Sequence, residues 1–114
     1  GGVLLHCQRV AEVQSKMTIR ERDIENYLRK RVKEHGGRVY KWASPGQRGV
    51  PDDIVFINQQ AWFIEVKSPT GKLSKLQEVV GQTIKEYTDN YAVLYSKEEV
   101  DSWLTEAHQP KKVG

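Results

Sequence analysis

The chain has 114 residues, of which 38% are hydrophobic, and this suits one domain with a modest core. No stretch approaches the roughly 18 consecutive apolar residues of a membrane span, and the single cysteine, Cys7, excludes an internal disulfide. We therefore expect a soluble, cytoplasmic protein with no membrane partner. Residues 1–50 carry 11 Lys or Arg against 5 Asp or Glu, whereas residues 51–114 carry 7 against 10. A basic half suits contact with phosphates, but an ordinary basic helix followed by an acidic one would give the same numbers.

The two ends of the chain are set apart from a central domain. Gly1 to Lys16 precede Met17 and lack the basic and long apolar segments of a secretory signal peptide. We interpret residues 1–16 as a leader that is disordered or foreign to the domain, although a genuine N-terminal arm stays open. The domain is expected to span residues 17–107, with residues 108–114 as a flexible tail.

The first predicted helix begins at a capping box. Thr18 is followed three residues later by Glu21, and this pair caps a helix that starts near Ile19. Its apolar residues repeat with helical spacing and are Ile24, Tyr27, Leu28 and Val32. Gly36-Gly37 should end the helix, because glycine tolerates the left-handed conformation that often follows a last turn.

Three short strands are predicted next. Arg38 to Trp42 alternates, and Asp53 to Ile57 and Ala61 to Lys67 are mostly apolar runs. The turn Asn58-Gln59-Gln60 joins the last two strands, which should therefore pair antiparallel. Ala43 to Pro51 is rich in Gly and Pro and predicts a loop.

The second half adds a helix, a strand and a last helix. Ser74 and Gln77 form a second capping box, whose helix should run to about Tyr87. Its apolar stripe consists of Leu76, Val79, Val80, Ile84 and Tyr87. Tyr91 to Tyr95 predicts a fourth strand, and Ser96 caps a helix that runs to about Ala107. The order αβββαβα predicts an α/β fold with a mixed central sheet flanked by helices, in which the last two strands pair in parallel.

Chemistry concentrates at the end of the third strand. Side chains alternate along a strand, so Glu65 and Lys67 should share a face, and the apolar neighbours make this strand look buried. Asp52 begins the preceding strand and can lie opposite them across the hairpin. Two carboxylates and an ammonium would then converge, and carboxylate oxygens are what Mg²⁺ or Mn²⁺ prefers. Asp53 is the alternative ligand, but alternation puts it on the opposite face.

These residues resemble a known family. Pro51-Asp52 and Glu65-Val66-Lys67 match the PD-(D/E)xK nuclease pattern. A longer string resembles a stand-alone VRR-NUC domain, as found in phage-type proteins, and comprises Arg48-Gly49-Val50-Pro51-Asp52, Glu65-Val66-Lys67-Ser68-Pro69, Gly71-Lys72-Leu73-Ser74 and Gln77. The resemblance spans roughly residues 18–104 and implies a restriction-endonuclease-like αβββαβ(α) core.

The resemblance also implies roles for individual residues. Asp52 and Glu65 would ligate Mg²⁺ or Mn²⁺ together with the carbonyl of Val66. Lys67 would orient or deprotonate the attacking water. The family's helical acidic residue corresponds to Glu25, although an ion pair of Glu25 with Arg22 or Arg29 is nearly as well supported by spacing.

Two further assignments concern the helix start and the phosphates. The family's active-site glutamine corresponds to Gln77, although its capping role alone would explain that residue. Contacts to the DNA backbone are expected from residues in loops and at this helix start, namely Lys41, Arg48, Lys72, Ser74 and Lys75.

The function implied by the resemblance is metal-dependent hydrolysis of phosphodiester bonds in DNA. Stand-alone domains of this size resemble homodimeric enzymes that resolve four-way junctions, and a two-fold axis would suit paired cuts. The same chemistry on flaps or on duplex DNA, as in restriction-type enzymes, stays open. So does a non-catalytic module that binds nucleic acid, although unneutralised carboxylates would repel phosphate.

Overall fold

The computed structural model describes residues 20–108, which form one mixed sheet with helices on both faces. In chain order the elements are α1 (Glu21–Glu34), β1 (Arg38–Lys41), β2 (Asp53–Ile57), β3 (Gln60–Val66), α2 (Lys75–Lys85), β4 (Tyr91–Leu94) and α3 (Lys97–Ala107). This order confirms the predicted α/β fold. Within the described part of the chain, no helix is long and apolar enough to cross a membrane.

The sheet has the strand order β1-β2-β3-β4. β1 pairs antiparallel with β2, β2 pairs antiparallel with β3, and β3 pairs in parallel with β4. The β2–β3 turn places Asn58 and Gln59 at positive φ (50° and 64°), which is the backbone of the two-residue turn that matches strand twist. This tight turn fixes the register, so that Asp53 lies opposite Ile64 and the start of β2 reaches the end of β3.

One face of the sheet is covered by α1 and α3 and holds the core. α1 buries Ile24, Leu28 and Val32 completely, which confirms the predicted apolar face. Trp62 and Trp103 meet edge to face with ring centroids 5.7 Å apart. The core cluster also contains Val55, Ile57, Ile64, Val66, Leu94, Val100, Leu104 and Ala107.

Within residues 20–108, the opposite face is only partly covered, because α2 is the helix that packs there and it contacts mainly β4. Gly81 lies against Tyr91, and a Cβ added at this glycine would come within 2.5 Å of the phenolic oxygen. Elsewhere on this face Tyr40 and Phe56 stay exposed and stack edge to face at 5.8 Å. Leu76 and Val79 of α2 are exposed as well, and so is Tyr87 just after the helix, whereas Val80 and Ile84 are half-buried.

Several element boundaries differ slightly from the predictions. α1 begins at Glu21 with Arg20 as its N-cap, where the sequence predicted a start near Ile19. α2 ends at Lys85, where the sequence predicted about Tyr87. Thr18, the leader and the tail from residue 109 lie outside the described residues. His35 is half-buried and contacts His108 at 5.0 Å between ring centroids.

Candidate active site

Asp52 lies at the point where the loop after β1 joins β2. Its carbonyl accepts a hydrogen bond from the Trp42 amide at 2.9 Å, and its Oδ2 accepts one from the Val66 amide at 2.8 Å. Gly49 allows the loop to approach α2, since its φ is +88° and an added Cβ would lie 2.8 Å from the Leu76 carbonyl oxygen. These contacts hold the Asp52 carboxylate against the end of β3, as predicted.

Glu65 lies beside Asp52 and is nearly inaccessible to solvent, with 2% of its surface exposed. Burial and, after it, the adjacent Asp52 carboxylate, which lies close enough to share a proton, together raise the pKa of the Glu65 carboxyl to about 9. The nearby Lys67 ammonium acts in the opposite direction but does not cancel these effects. Without a cation, the pair therefore holds a proton at neutral pH.

Lys67 follows β3 and is held by a backbone hydrogen bond from its amide to the Leu94 carbonyl at 3.0 Å. Its side chain is 15% exposed, and its Nζ lies 3.9 Å from Oε1 of Glu21 at the start of α1. The ammonium thus faces the same end of the sheet as the Asp52–Glu65 pair. The structure brings these three predicted residues together.

Glu25 lies on the wall of a concavity next to Asp52. The residues that line this active-site concavity are Glu21, Arg22, Glu25, Lys41, Asp52 and Val66. Its carboxylate accepts hydrogen bonds at 3.3 Å from Nζ of Lys41, so the partner is neither of the two arginines that the sequence suggested. Burial alone would raise the pKa of Glu25, but its hydrogen bonds with Asp53 and Lys41 and the two nearby positive charges lower it below its usual value.

Asp53 belongs to the opposite face, as strand alternation predicts. It is fully buried, and its Oδ1 lies 3.4 Å from Nη2 of Arg29. Burial raises the pKa of its carboxyl to about 8, and the Glu25 carboxylate contributes to the same shift. Among the described residues its Oδ2 has no hydrogen-bond partner.

Gln77 and Ser74 form the predicted capping box at the start of α2. The Gln77 side-chain oxygen accepts from the Ser74 amide at 2.8 Å, and the Ser74 hydroxyl accepts from the Gln77 amide at 3.1 Å. The capping role of Gln77 is therefore occupied in this structure. Its assignment to the active site, like the catalytic roles of the other residues, stays a prediction.

The basic residues predicted to contact DNA occupy exposed positions. Arg48 lies in the loop before Asp52, while Lys72 and Lys75 flank the start of α2. Lys41 differs from them because it lines the concavity and is engaged by Glu25. Its charge is therefore partly neutralised before any phosphate arrives.

Two residues near this site were not predicted from the sequence. Glu21 was assigned only to a helix cap, although it lies beside Lys67. Tyr91, which begins β4, has its pKa raised to about 12 by burial first and then by the negative charge of Glu65. The parallel β3–β4 register could have indicated Tyr91, whereas no pattern in the sequence places the start of α1 beside Lys67.

The donor set fits a hard divalent cation. Among residues 20–108 there is no cluster of three or more His, Cys, Asp or Glu side chains arranged to hold a metal. Two adjacent carboxylates are present instead, and Val66 lines the same concavity. Mg²⁺ is commonly held by one or two carboxylates and keeps several waters, so this set suits it.

Comparisons with known proteins agree with this geometry. No family model matches the chain. A solved structure described as a "VRR_NUC domain" superposes with a TM-score of 0.69 at 28% identity, covering 78% of this chain and 97% of that one. "Putative nuclease p44" of Acyrthosiphon pisum secondary endosymbiont phage 1 is 45% identical over 60 residues, which are 52% of this chain. The match spans 64% of that relative's length. In fold and in sequence, the chain therefore resembles a nuclease domain of the VRR-NUC type.

Proposed function

We propose that this protein is a metal-dependent endonuclease that hydrolyses phosphodiester bonds in DNA. The observation that carries the proposal is the Asp52–Glu65 pair, in which a half-buried carboxylate that lines the concavity lies beside a buried one. Such a pair is costly without a counter-charge, and a divalent cation would remove the repulsion. The resemblance to a VRR-NUC domain and to a phage nuclease supports the same chemistry.

The proposed chemistry divides between the metal and the chain. Mg²⁺ or Mn²⁺, held by Asp52, Glu65 and the Val66 carbonyl, would polarise the scissile phosphate and supply an activated water. Lys67 orients the water that attacks phosphorus and offsets the negative charge that builds on the phosphate oxygens. The Val66 amide fixes the Asp52 carboxylate, so this ligand needs no rearrangement before it binds.

The test combines cleavage with metal binding. Wild type and Glu65→Gln are given a labelled four-way junction, a flap and a linear duplex of the same sequence, with Mg²⁺ or Mn²⁺. Cleavage by wild type and none by the variant is expected. Thermal unfolding with Ca²⁺ or Mg²⁺ gives an independent readout, because a ligand at 100 times its Kd stabilises the folded state by about 2.7 kcal/mol. Wild type that neither cuts DNA nor gains stability from either metal would refute the proposal.

The proposed substrate is branched DNA, with the four-way junction first, and the proposed active form is a homodimer. The apolar surface at α2 supports this assembly, because Leu76 and Val79 on the helix and Tyr87 just after it are all exposed. Exposed apolar surface often marks an interaction site, and a two-fold interface would bury this surface on both copies. Lys75 and Glu86 near its two ends would face each other across an antiparallel helix pair.

Sedimentation of Val79→Glu tests the homodimer. We expect wild type to sediment as a dimer at micromolar concentration and the variant as a monomer. Ser102→Glu, at an exposed position on α3, adds the same charge and should stay dimeric. A wild type that sediments as a monomer would refute the homodimer and would leave the nuclease proposal unaffected.

A further inference from the structure

A second concavity lies between α1 and β1, away from the Asp52–Glu65 pair. It has a volume of about 400 Å³ and is lined by Arg29, Lys33, Gly37, Arg38 and Val39. Its lining includes three cations and no carboxylate. A surface of this composition suits an anion rather than an apolar ligand. The concavity therefore raises the question of which anion it receives.

The three cations differ in the contacts that they make within the chain. Arg29 is 39% exposed and pairs with the fully buried Asp53, which anchors its guanidinium at the base of the concavity. Arg38 donates from Nη1 to the Gly37 carbonyl at 2.9 Å, which orients its guanidinium along the rim. Among residues 20–108, neither Lys33 nor Arg38 forms an ion pair. Their charges are available to an external anion.

The second concavity and the active-site concavity lie along the same face of α1. Arg22 lines the active-site concavity, and Arg29 and Lys33 follow it on one face of α1, at intervals of seven and four residues. At a rise of 1.5 Å per residue, the 11 residues from Arg22 to Lys33 span about 16 Å. This length equals about five base pairs of duplex DNA, at 3.4 Å per base pair.

We propose that Arg29, Lys33 and Arg38 form a second phosphate-binding groove, which holds the DNA backbone of a duplex arm that extends from the active site. This proposal rests on the proposed nuclease function and specifies how its substrate is held. Phosphate contacts position a duplex without reading its sequence, so the groove favours sequence-tolerant binding. It also gives the basic half of the chain a definite location for its contacts.

The salt dependence of DNA binding tests the groove. Fluorescence anisotropy is measured on a labelled duplex without divalent metal, over a series of salt concentrations, for wild type and Lys33→Gln/Arg38→Gln. Each lost phosphate contact lowers the slope of log K against log salt by about 0.9, so the double variant should lose about 2 units of slope. Affinity at low salt should fall by about tenfold or more.

The matched control is Lys85→Gln/Lys97→Gln, which removes the same charge from α2 and α3. It should change the slope by less than half a unit. Equal slope losses in the two double variants, or none in the groove variant, would overturn the proposal. Lys33→Arg/Arg38→Lys should retain the wild-type slope if charge at these positions is what matters.

This experiment is independent of catalysis. A groove variant that loses slope while wild type fails to cut DNA would reject the nuclease and retain the groove. A nuclease that cuts normally but binds with an unchanged slope in the groove variant would do the reverse. Thermal unfolding of each variant excludes a general loss of folding as the cause.

Discussion

Asp52 and Asp53 are neighbours in the sequence, yet they lie in opposite environments. Asp52 faces the concavity, fixed by the Val66 amide and paired with Glu65. Asp53 points under α1, where Arg29 contacts its Oδ1 and the Glu25 carboxylate lies close enough to raise its pKa. Strand alternation alone separates the two, because successive side chains leave opposite faces of a sheet. One acid is thereby available to a metal and the other is part of the packing.

The difference in charge compensation is as important as the difference in direction. Around Asp53 two cations accompany the two carboxyls, because Arg29 contacts Asp53 and Lys41 contacts Glu25. Around Glu65 the cation that lowers the pKa of the carboxyl is Lys67, whose Nζ also lies close to Glu21. The first cluster is already compensated, whereas the second still lacks positive charge.

Substitution of each aspartate by asparagine should separate their roles by a large difference in cleavage rate. Asp52→Asn should lower the rate of DNA cleavage by roughly 10²–10³-fold or more, because it removes a charge proposed to bind the metal. Asp53→Asn should change the rate less than about tenfold, because its protonated carboxyl already resembles an amide at neutral pH. Single-turnover cleavage with Mg²⁺ measures both. The comparison fails if Asp53→Asn is the more damaging change.

The sequence predicted the centre of the site better than its walls. Asp52, Glu65 and Lys67 converge because a two-residue turn fixes the β2–β3 register, and local patterns in the sequence indicate both strands and turn. The ion pair of Glu25 with Arg22 or Arg29, which helical spacing offered as an alternative, is not formed. Its partner is Lys41, which comes from β1. How α1 lies across β1 depends on packing, which helical spacing does not contain.

The uncovered face of α2 was missed for a related reason. Its apolar residues repeat with the spacing of a buried helix, so the pattern indicates an apolar surface but not what covers it. Among residues 20–108, α2 is the one helix on this side of the four-stranded sheet, and its residues Leu76 and Val79 are left exposed. An amphipathic pattern predicts an interface equally well whether the partner is the same chain or another copy.

The Asp53 carboxyl should also make the stability of the protein depend on pH. Burial and Glu25 raise the pKa of Asp53 from 3.8 to about 8, so between these values the folded chain holds a proton that the unfolded chain releases. This contribution to stability is complete below pH 3.8 and is lost as pH rises toward about 8. Asp53→Asn lacks this loss, and its Tm relative to wild type should rise from pH 5 to pH 8.5.

The change in this Tm difference should be at least about 5 °C, because the raised pKa of Asp53 corresponds to more than about 1 kcal/mol over this pH range and 1 kcal/mol shifts the Tm of a small domain by about 4–8 °C. Metal-free thermal unfolding followed by Trp fluorescence measures it, because Trp62 and Trp103 lie in the core. Glu65→Gln should show the same trend extended toward pH 9, where the Glu65 carboxyl titrates. Parallel pH profiles for wild type and Asp53→Asn would contradict the assignment of the proton to Asp53.

The smallest expected effect concerns Glu21, the residue that joins the start of α1 to Lys67. The two groups are 3.9 Å apart and Glu21 is half-exposed, so this ion pair contributes only about 0.2–1 kcal/mol. Glu21→Gln should therefore slow cleavage by no more than about fivefold, with little change in the affinity for Mg²⁺. Metal titrations of the cleavage rate separate the two quantities. A large rise in the Mg²⁺ concentration needed for half-maximal rate would instead make Glu21 a third carboxylate of the metal site. In that case Glu21 of α1 would share the positive charge of the metal with Asp52 and Glu65. The clusters around Asp53 and Glu65 would then differ less in charge compensation than their geometry suggests.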